Sequence, residues 1–153
     1  MAYLALKYLH ILCAIFLVGF GMGSYLYLIA AVRTRKPLVI AQVARMVVMF
    51  DTWITTPAGV LQALTGMALV TMAGWPITSG WLLLSLAIFV GTGAIWLPVL
   101  VLQKRMQVAA DSASEVLPQT FWADYHKWFW LGVVGFAGMF IVVMCMTIKP
   151  PIF

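Results

Sequence analysis

From Tyr8 to Val32 the chain carries no Asp, Glu, Lys or Arg. At 1.5 Å rise per residue, a helix of that run spans the roughly 30 Å hydrocarbon core of a bilayer. The rest of the sequence is built alike. Hydrophobic residues make up 65% and charged residues 8%, where soluble domains have roughly 45–50% and about 25%. Four carboxylates and nine Lys or Arg cannot wet the surface of a 153-residue globule. In hydrocarbon every backbone polar group must be satisfied internally, so such segments become helices. The sequence predicts an all-α, four-helix transmembrane bundle, one integral membrane domain over residues 1–153, with the lipid bilayer as its first partner.

The spans are expected at about 3–32, 47–73, 81–103 and 121–148. Arg33, Arg35, Lys36 and Pro37 end the first, which is too long for the apolar core of a cleaved leader. The second helix starts at Leu38, protrudes through Gln42 and Arg45, and enters the membrane near Asp51. Thr56-Pro57 predicts a kink, because proline removes a helix hydrogen bond and crowds the preceding turn. Gly74 to Gly80 is an uncharged turn rich in breakers. Lys104 and Arg105 stop the third span, and Pro118 opens the fourth helix. The first and third connections, with Arg45 and Lys127, hold seven of the nine basic residues. By the positive-inside rule they face the cytoplasm, and both termini face the periplasm of a bacterial inner membrane. Trp75, Trp81, Trp122, Trp128 and Trp130 fall near the interfaces.

Several function classes are excluded. The net charge of +5 is dispersed, with no basic stripe of the kind nucleic acid requires. No P-loop, dinucleotide-binding glycine run or nucleophile elbow is present. Cys13 and Cys145 lie singly in apolar runs, without zinc spacing. Gly19 and Gly23, and Gly132, Gly135 and Gly138, are small-residue stripes. They predict either close helix contact or room for a flat cofactor.

His10 is the most informative residue. An ionisable side chain one to two turns inside a span is rare and marks function. Lys7, Ala14, Leu17, Gly21 and Ser24 share its face. Two roles fit: an axial ligand to haem iron, with Lys7 pairing a propionate, or an interhelical hydrogen bond with Lys7 reaching to the interface. Met67 and Met144 stand at the depth of a sixth ligand, as does Met146, although methionine also serves as flexible filler. His126 starts the fourth helix at the opposite surface, roughly 20–25 Å away along a helix. The two histidines therefore cannot share one iron. Asp51 is expected in a hydrogen-bonded interfacial cluster with Arg45, Asp124, His126 and Lys127, or in proton uptake. Thr55 and Thr56 are expected to repair the carbonyls that Pro57 frees.

Three stretches resemble the HemJ-type protoporphyrinogen oxidases. Tyr3-Leu4-Ala5-Leu6-Lys7-Tyr8-Leu9-His10-Ile11 resembles their first helix, with a lysine three residues before a histidine. Thr55-Thr56-Pro57-Ala58 followed by Gly66 resembles their second helix, and Ile148-Lys149-Pro150 their C-terminus. Over its whole length the chain is similar to small predicted bacterial integral membrane proteins of unknown function. Both groups resemble the copper-resistance CopD membrane domain. The resemblance implies haem b on His10, with Lys7 and Lys149 as matching cations. The chain departs from the HemJ pattern at Tyr25 to Leu28, at Trp81 to Ile88 and at Gly132 to Gly135, where that family has a second histidine, a lysine, and an acidic residue with a proline.

The leading expectation is a haem b membrane protein with an electron-transfer or redox role. His10 is the metal ligand, with Met67 or Met144 opposite, and Lys7, Lys149, Ala14 and Gly21 line the cofactor. It would exchange electrons with a quinone or a haem-protein partner, alone or within a homo- or hetero-oligomer. The alternatives are porphyrinogen oxidation of HemJ type, a non-catalytic membrane scaffold, and a copper-linked transport subunit.

Overall fold

The computed structural model describes residues 1–151, and among them all regular structure is helical. The elements are α1 (Ala2–Arg33), α2 (Pro37–Phe50), a π-helical turn (Asp51–Thr55), α3 (Thr56–Ala73), α4 (Gly80–Asp111) and α5 (Gln119–Ile148). With α2, the turn and α3 taken as one rod, four helices are long and apolar enough to cross a membrane. The chain is thus an all-α, multi-pass membrane bundle.

The breaks follow local chemistry. Pro37 occupies the first turn of α2, where its missing N–H has no intrahelical role and its fixed φ suits the helix. Gly74 ends α3 at φ 68°. Its N–H and that of Trp75 donate to Thr71 O and Val70 O, a left-handed cap that glycine adopts without a Cβ penalty. Pro118 caps α5 rather than standing inside it. The α4 helix runs eight residues past Gln103 to Asp111. Lys104 and Arg105 end the apolar stretch but not the helix, because Met106 and Ala110 stay buried against the core.

The kink expected at Thr56-Pro57 takes the form of a widened turn just before the proline. Pro57 offers no N–H, and its ring crowds the carbonyl of Trp53, four residues back. The chain responds with a π-turn, in which the Thr56 N–H donates five residues back to Asp51 O. Thr56 Oγ1 also donates to that oxygen at 2.7 Å. The expected hydroxyl repair is therefore not what the threonines do: Thr56 Oγ1 doubles the bond to Asp51 O, and Thr55 Oγ1 goes to the Asp51 carboxylate. Such inserted turns recur at functional sites, and this one aims Asp51 into the bundle.

Packing is uneven along the bundle. At the basic end, which carries Arg33 and Arg105, α1, α2, α4 and the start of α5 close around Leu28, Ile40, Val47, Met106, Phe121 and Trp128. Toward the end bearing both termini, the helices separate into an α1–α3 pair and an α4–α5 pair, and α3 makes no extended contact with α4 or α5. Many large apolar side chains, among them Ile15, Val60, Leu97 and Phe140, point outward, as lipid-facing surface does.

Glycine has two different uses here. A Cβ on Gly132 would collide with the Tyr25 ring, and one on Gly138 would sit 2.9 Å from Thr92 Oγ1. These two positions let α1 and α4 approach α5. Gly19 and Gly23, by contrast, meet no other helix. They line an outward groove between α1 and α2, so the stripe predicted on the first helix is not a helix contact within this chain. Gly132→Ala is expected to destabilise the protein by about 1–3 kcal/mol through overpacking. Tyr25 would have to leave its hydrogen bond to Phe129 O at 2.8 Å. Thermal unfolding in detergent reads this directly, with Gly19→Ala as the near-neutral control.

Candidate functional site

His10 stands against α3, with both ring nitrogens engaged. Nδ1 lies 2.8 Å from Thr65 Oγ1, and Nε2 lies 3.0 Å from Gln62 Nε2. Thr65 Oγ1 is 2.6 Å from Leu61 O, so its single proton goes to that carbonyl. The hydroxyl oxygen then accepts from His10, which places the ring proton on Nδ1. Nε2 keeps its lone pair and accepts from the Gln62 amide. The ring reaches α3 because position 66 is glycine, where a Cβ would come within 3.0 Å of His10 Cε1. Gln62 Oε1 is buried without a partner.

The other residues expected around His10 are placed apart. Lys7 is exposed one turn outward on α1, and Ala14 is half-buried. Gly21 is buried and borders a separate cavity. Met67 and Met144 are 44% and 51% exposed on the outside of the bundle. Lys149 lies over the Trp75 and Trp81 rings, 4.7 and 5.6 Å from their centroids. His126 is exposed beside Trp130. The structure thus brings His10 to Thr65 and Gln62, and does not gather the lysines and methionines around it.

The second cluster lies at the π-turn. Asp51 is only 1% exposed. Thr55 Oγ1 donates to its Oδ1 at 2.9 Å, and Gln103 Nε2 donates to its Oδ2 at 2.8 Å. Among the described residues it has no cationic partner, because Arg45 pairs with Asp111 at 2.9 Å and Arg105 with Asp124 at 3.0 Å. The expected interfacial cluster is therefore split. Asp51 turns inward because the π-turn rotates it toward α4, while Arg45 satisfies Asp111 at the surface and Arg105 reaches in from the surface to the buried Asp124.

Asp51, Thr55, Thr56 and Gln103 form the polar floor of a cavity of about 400 Å³ bounded by α1, the π-turn, α3, α4 and α5. Its walls include Leu17, Val60, Phe89, Trp96, Phe136 and Met139. Trp96 Nε1 donates to Thr56 Oγ1 at 3.2 Å, which fixes the indole. Gln103 is 2% exposed, and its Oε1 has no hydrogen-bond partner. Among the described residues, no group of three or more His, Cys, Asp or Glu converges.

Gln62, Thr65 and Gln103 are the residues that sequence reasoning missed. The available signal was polarity inside apolar runs: side-chain amides within a span seek partners on a neighbouring helix. Gln103 was hidden by its position next to Lys104 and Arg105, where it reads as the end of a span.

No curated protein and no solved structure matches this chain. Residues 4–150 match a family described as predicted integral membrane protein (DUF2269). A match over nearly the whole length, on a bundle of four membrane-length helices, shows that the chain belongs to this family of integral membrane proteins.

Proposed function

We propose that the protein is a haem b-binding membrane protein with an electron-transfer role, and that His10 would hold the haem iron. One observation carries this: His10 Nδ1 lies 2.8 Å from Thr65 Oγ1, whose own proton is drawn to Leu61 O at 2.6 Å, an arrangement that favours the ring proton on Nδ1. Histidine ligands use this arrangement, in which one ring nitrogen donates to a fixed acceptor and the other offers its lone pair. Gln62 covers Nε2, but its own Oε1 is unpartnered. Turning that flexible side chain away sacrifices one hydrogen bond and frees the ligand. Bound haem supplies one-electron chemistry at iron. His10 would hold it, Thr65 would fix the ring's tautomer and orientation, and Gly66 would keep the ring close to α3. Lys7, one turn outward, is the nearest cation along α1 for a propionate. A membrane quinone or a second haem protein would exchange the electrons.

The test is the visible spectrum of protein purified from haem-replete cells. Soret and α bands, with haem confirmed by pyridine haemochrome, are expected. A colourless protein overturns the proposal.

The basic end is proposed to face the cytoplasm and both termini the periplasm of a bacterial inner membrane, on the distribution of Lys and Arg. A C-terminal alkaline phosphatase fusion should be active and a green fluorescent protein fusion dark. The reverse pair of results inverts the topology.

A further inference from the structure

We propose that the central cavity binds an organic cation: a protonated amine on an apolar, aromatic body, with the ammonium group held by Asp51 and Gln103. This goes beyond the haem proposal and is independent of it, since His10 does not border the cavity.

Charge is the first ground. Asp51 lies inside a membrane-length rod, almost wholly buried, with no cation beside it. A carboxylate so placed is costly unless a proton or a positive ligand neutralises it. Hydrogen bonding is the second and independent ground. The donors around the carboxylate are turned onto Asp51, Thr55 Oγ1 and Gln103 Nε2 to the carboxylate and Thr56 Oγ1 to Asp51 O, with the buried Ser24 hydroxyl of α1 a further donor facing the same carboxylate. What remains is acceptor capacity: the free lone pairs of Asp51 and the unpartnered Oε1 of Gln103. An ammonium group brings three donors, one positive charge and no acceptor, which complements that floor. A hydroxyl brings one donor and leaves the charge unpaired.

The walls define the rest of the ligand. About 400 Å³ falls within the range of small-molecule sites, roughly 300–1,000 Å³. Trp96, held in place by Thr56, and Phe89 and Phe136 present aromatic surface to the space. Aromatic faces attract cations and stack on aromatic bodies. An inorganic cation would leave this apolar volume unused, and a neutral lipid tail would leave Asp51 unpaired.

The experiment uses the full chain in lipid nanodiscs, with equilibrium dialysis of 2-naphthylmethylamine, protonated at neutral pH, against 2-naphthylmethanol. Saturable binding of the amine is expected, with the alcohol binding far more weakly. Asp51→Asn should weaken the amine by about tenfold to a hundredfold, the value of a hydrogen bond to a charged group, and leave the alcohol unchanged. Gly135→Leu tests the walls without touching the carboxylate. Gly135 borders the cavity with only Thr92 Cγ2 near its Cβ position, at 3.9 Å, so a leucine there fills the space and should abolish binding. Equal affinity for amine and alcohol, undiminished binding in Gly135→Leu, or no saturable amine binding overturns the proposal. Displacement of the amine by Na⁺, but not by K⁺ at the same ionic strength, would make the floor an inorganic-cation site and also overturn it. If Asp51→Asn does not fold, the alcohol comparison and Gly135→Leu decide alone.

Discussion

His10→Ala protein is expected to lose the Soret band or to show it grossly shifted, while His126→Ala keeps the wild-type spectrum. The two histidines differ in surroundings. His10 is tied to α3 through Thr65 and Gln62, whereas His126 is exposed beside Trp130. Gln62→Ala should retain haem at least as well as wild type, because it uncovers Nε2 and leaves the Nδ1 anchor intact. Thr65→Val should keep the haem and raise its midpoint potential, since an imidazole that no longer donates from Nδ1 is a weaker electron donor to iron. A purely structural His10 gives a different pattern. Loss of the ring would then lower thermal stability by roughly 1–2 kcal/mol for two neutral hydrogen bonds, with no spectrum to change. Gln62→Ala would share that loss. The opposite signs of the Gln62→Ala effect separate the two roles without any assay of activity.

Gln103→Leu is expected to destabilise the bundle by about 1–3 kcal/mol, the cost of leaving a buried polar group short of a partner. Leucine is close to glutamine in volume, so the cavity and helix packing change little. Asp51 Oδ2 would lose the 2.8 Å amide donor, and the carboxylate would be left with the hydroxyls of Thr55 and Ser24. In the Asp51→Asn background the same change should cost less, because a neutral amide needs the partner less than a carboxylate does. The double-mutant cycle in detergent unfolding should therefore show coupling well above the roughly 0.3–0.5 kcal/mol seen for independent sites. Additive effects would mean that the Asp51–Gln103 contact carries no energy of its own.

How much of this was legible beforehand differs by residue. Helix number, order and approximate ends follow from apolar runs, Gly74 and the basic clusters, because a bilayer admits few backbone solutions. His10 stood out for the same reason, since an imidazole inside a span is conspicuous. Its partners were not legible. Thr65 and Gln62 lie more than fifty positions away in the chain, and only the pairing of α1 with α3 brings them to the ring. Met67 and Met144 match His10 in depth, but depth counts residues along an axis and says nothing about rotation. Both turned out to face outward.

The amino-acid sequence by itself determined that this protein belongs in lipid, forms four helices long and apolar enough to cross it, and breaks where glycine, proline and charge require. Those outcomes depend on solvation and backbone chemistry, which act residue by residue. Tertiary structure alone decided which polar groups meet. Pro57 announced a kink, but whether the helix bent, broke or widened depended on Thr56 and on the packing around it. The widened turn rotates Asp51 away from the arginines and toward Gln103, fifty-two positions on. It thereby makes a cavity floor out of what reads, in one dimension, as an interfacial acid and the last residue of a span. Rotation about a helix axis is set by contacts between helices, and no single segment contains that information.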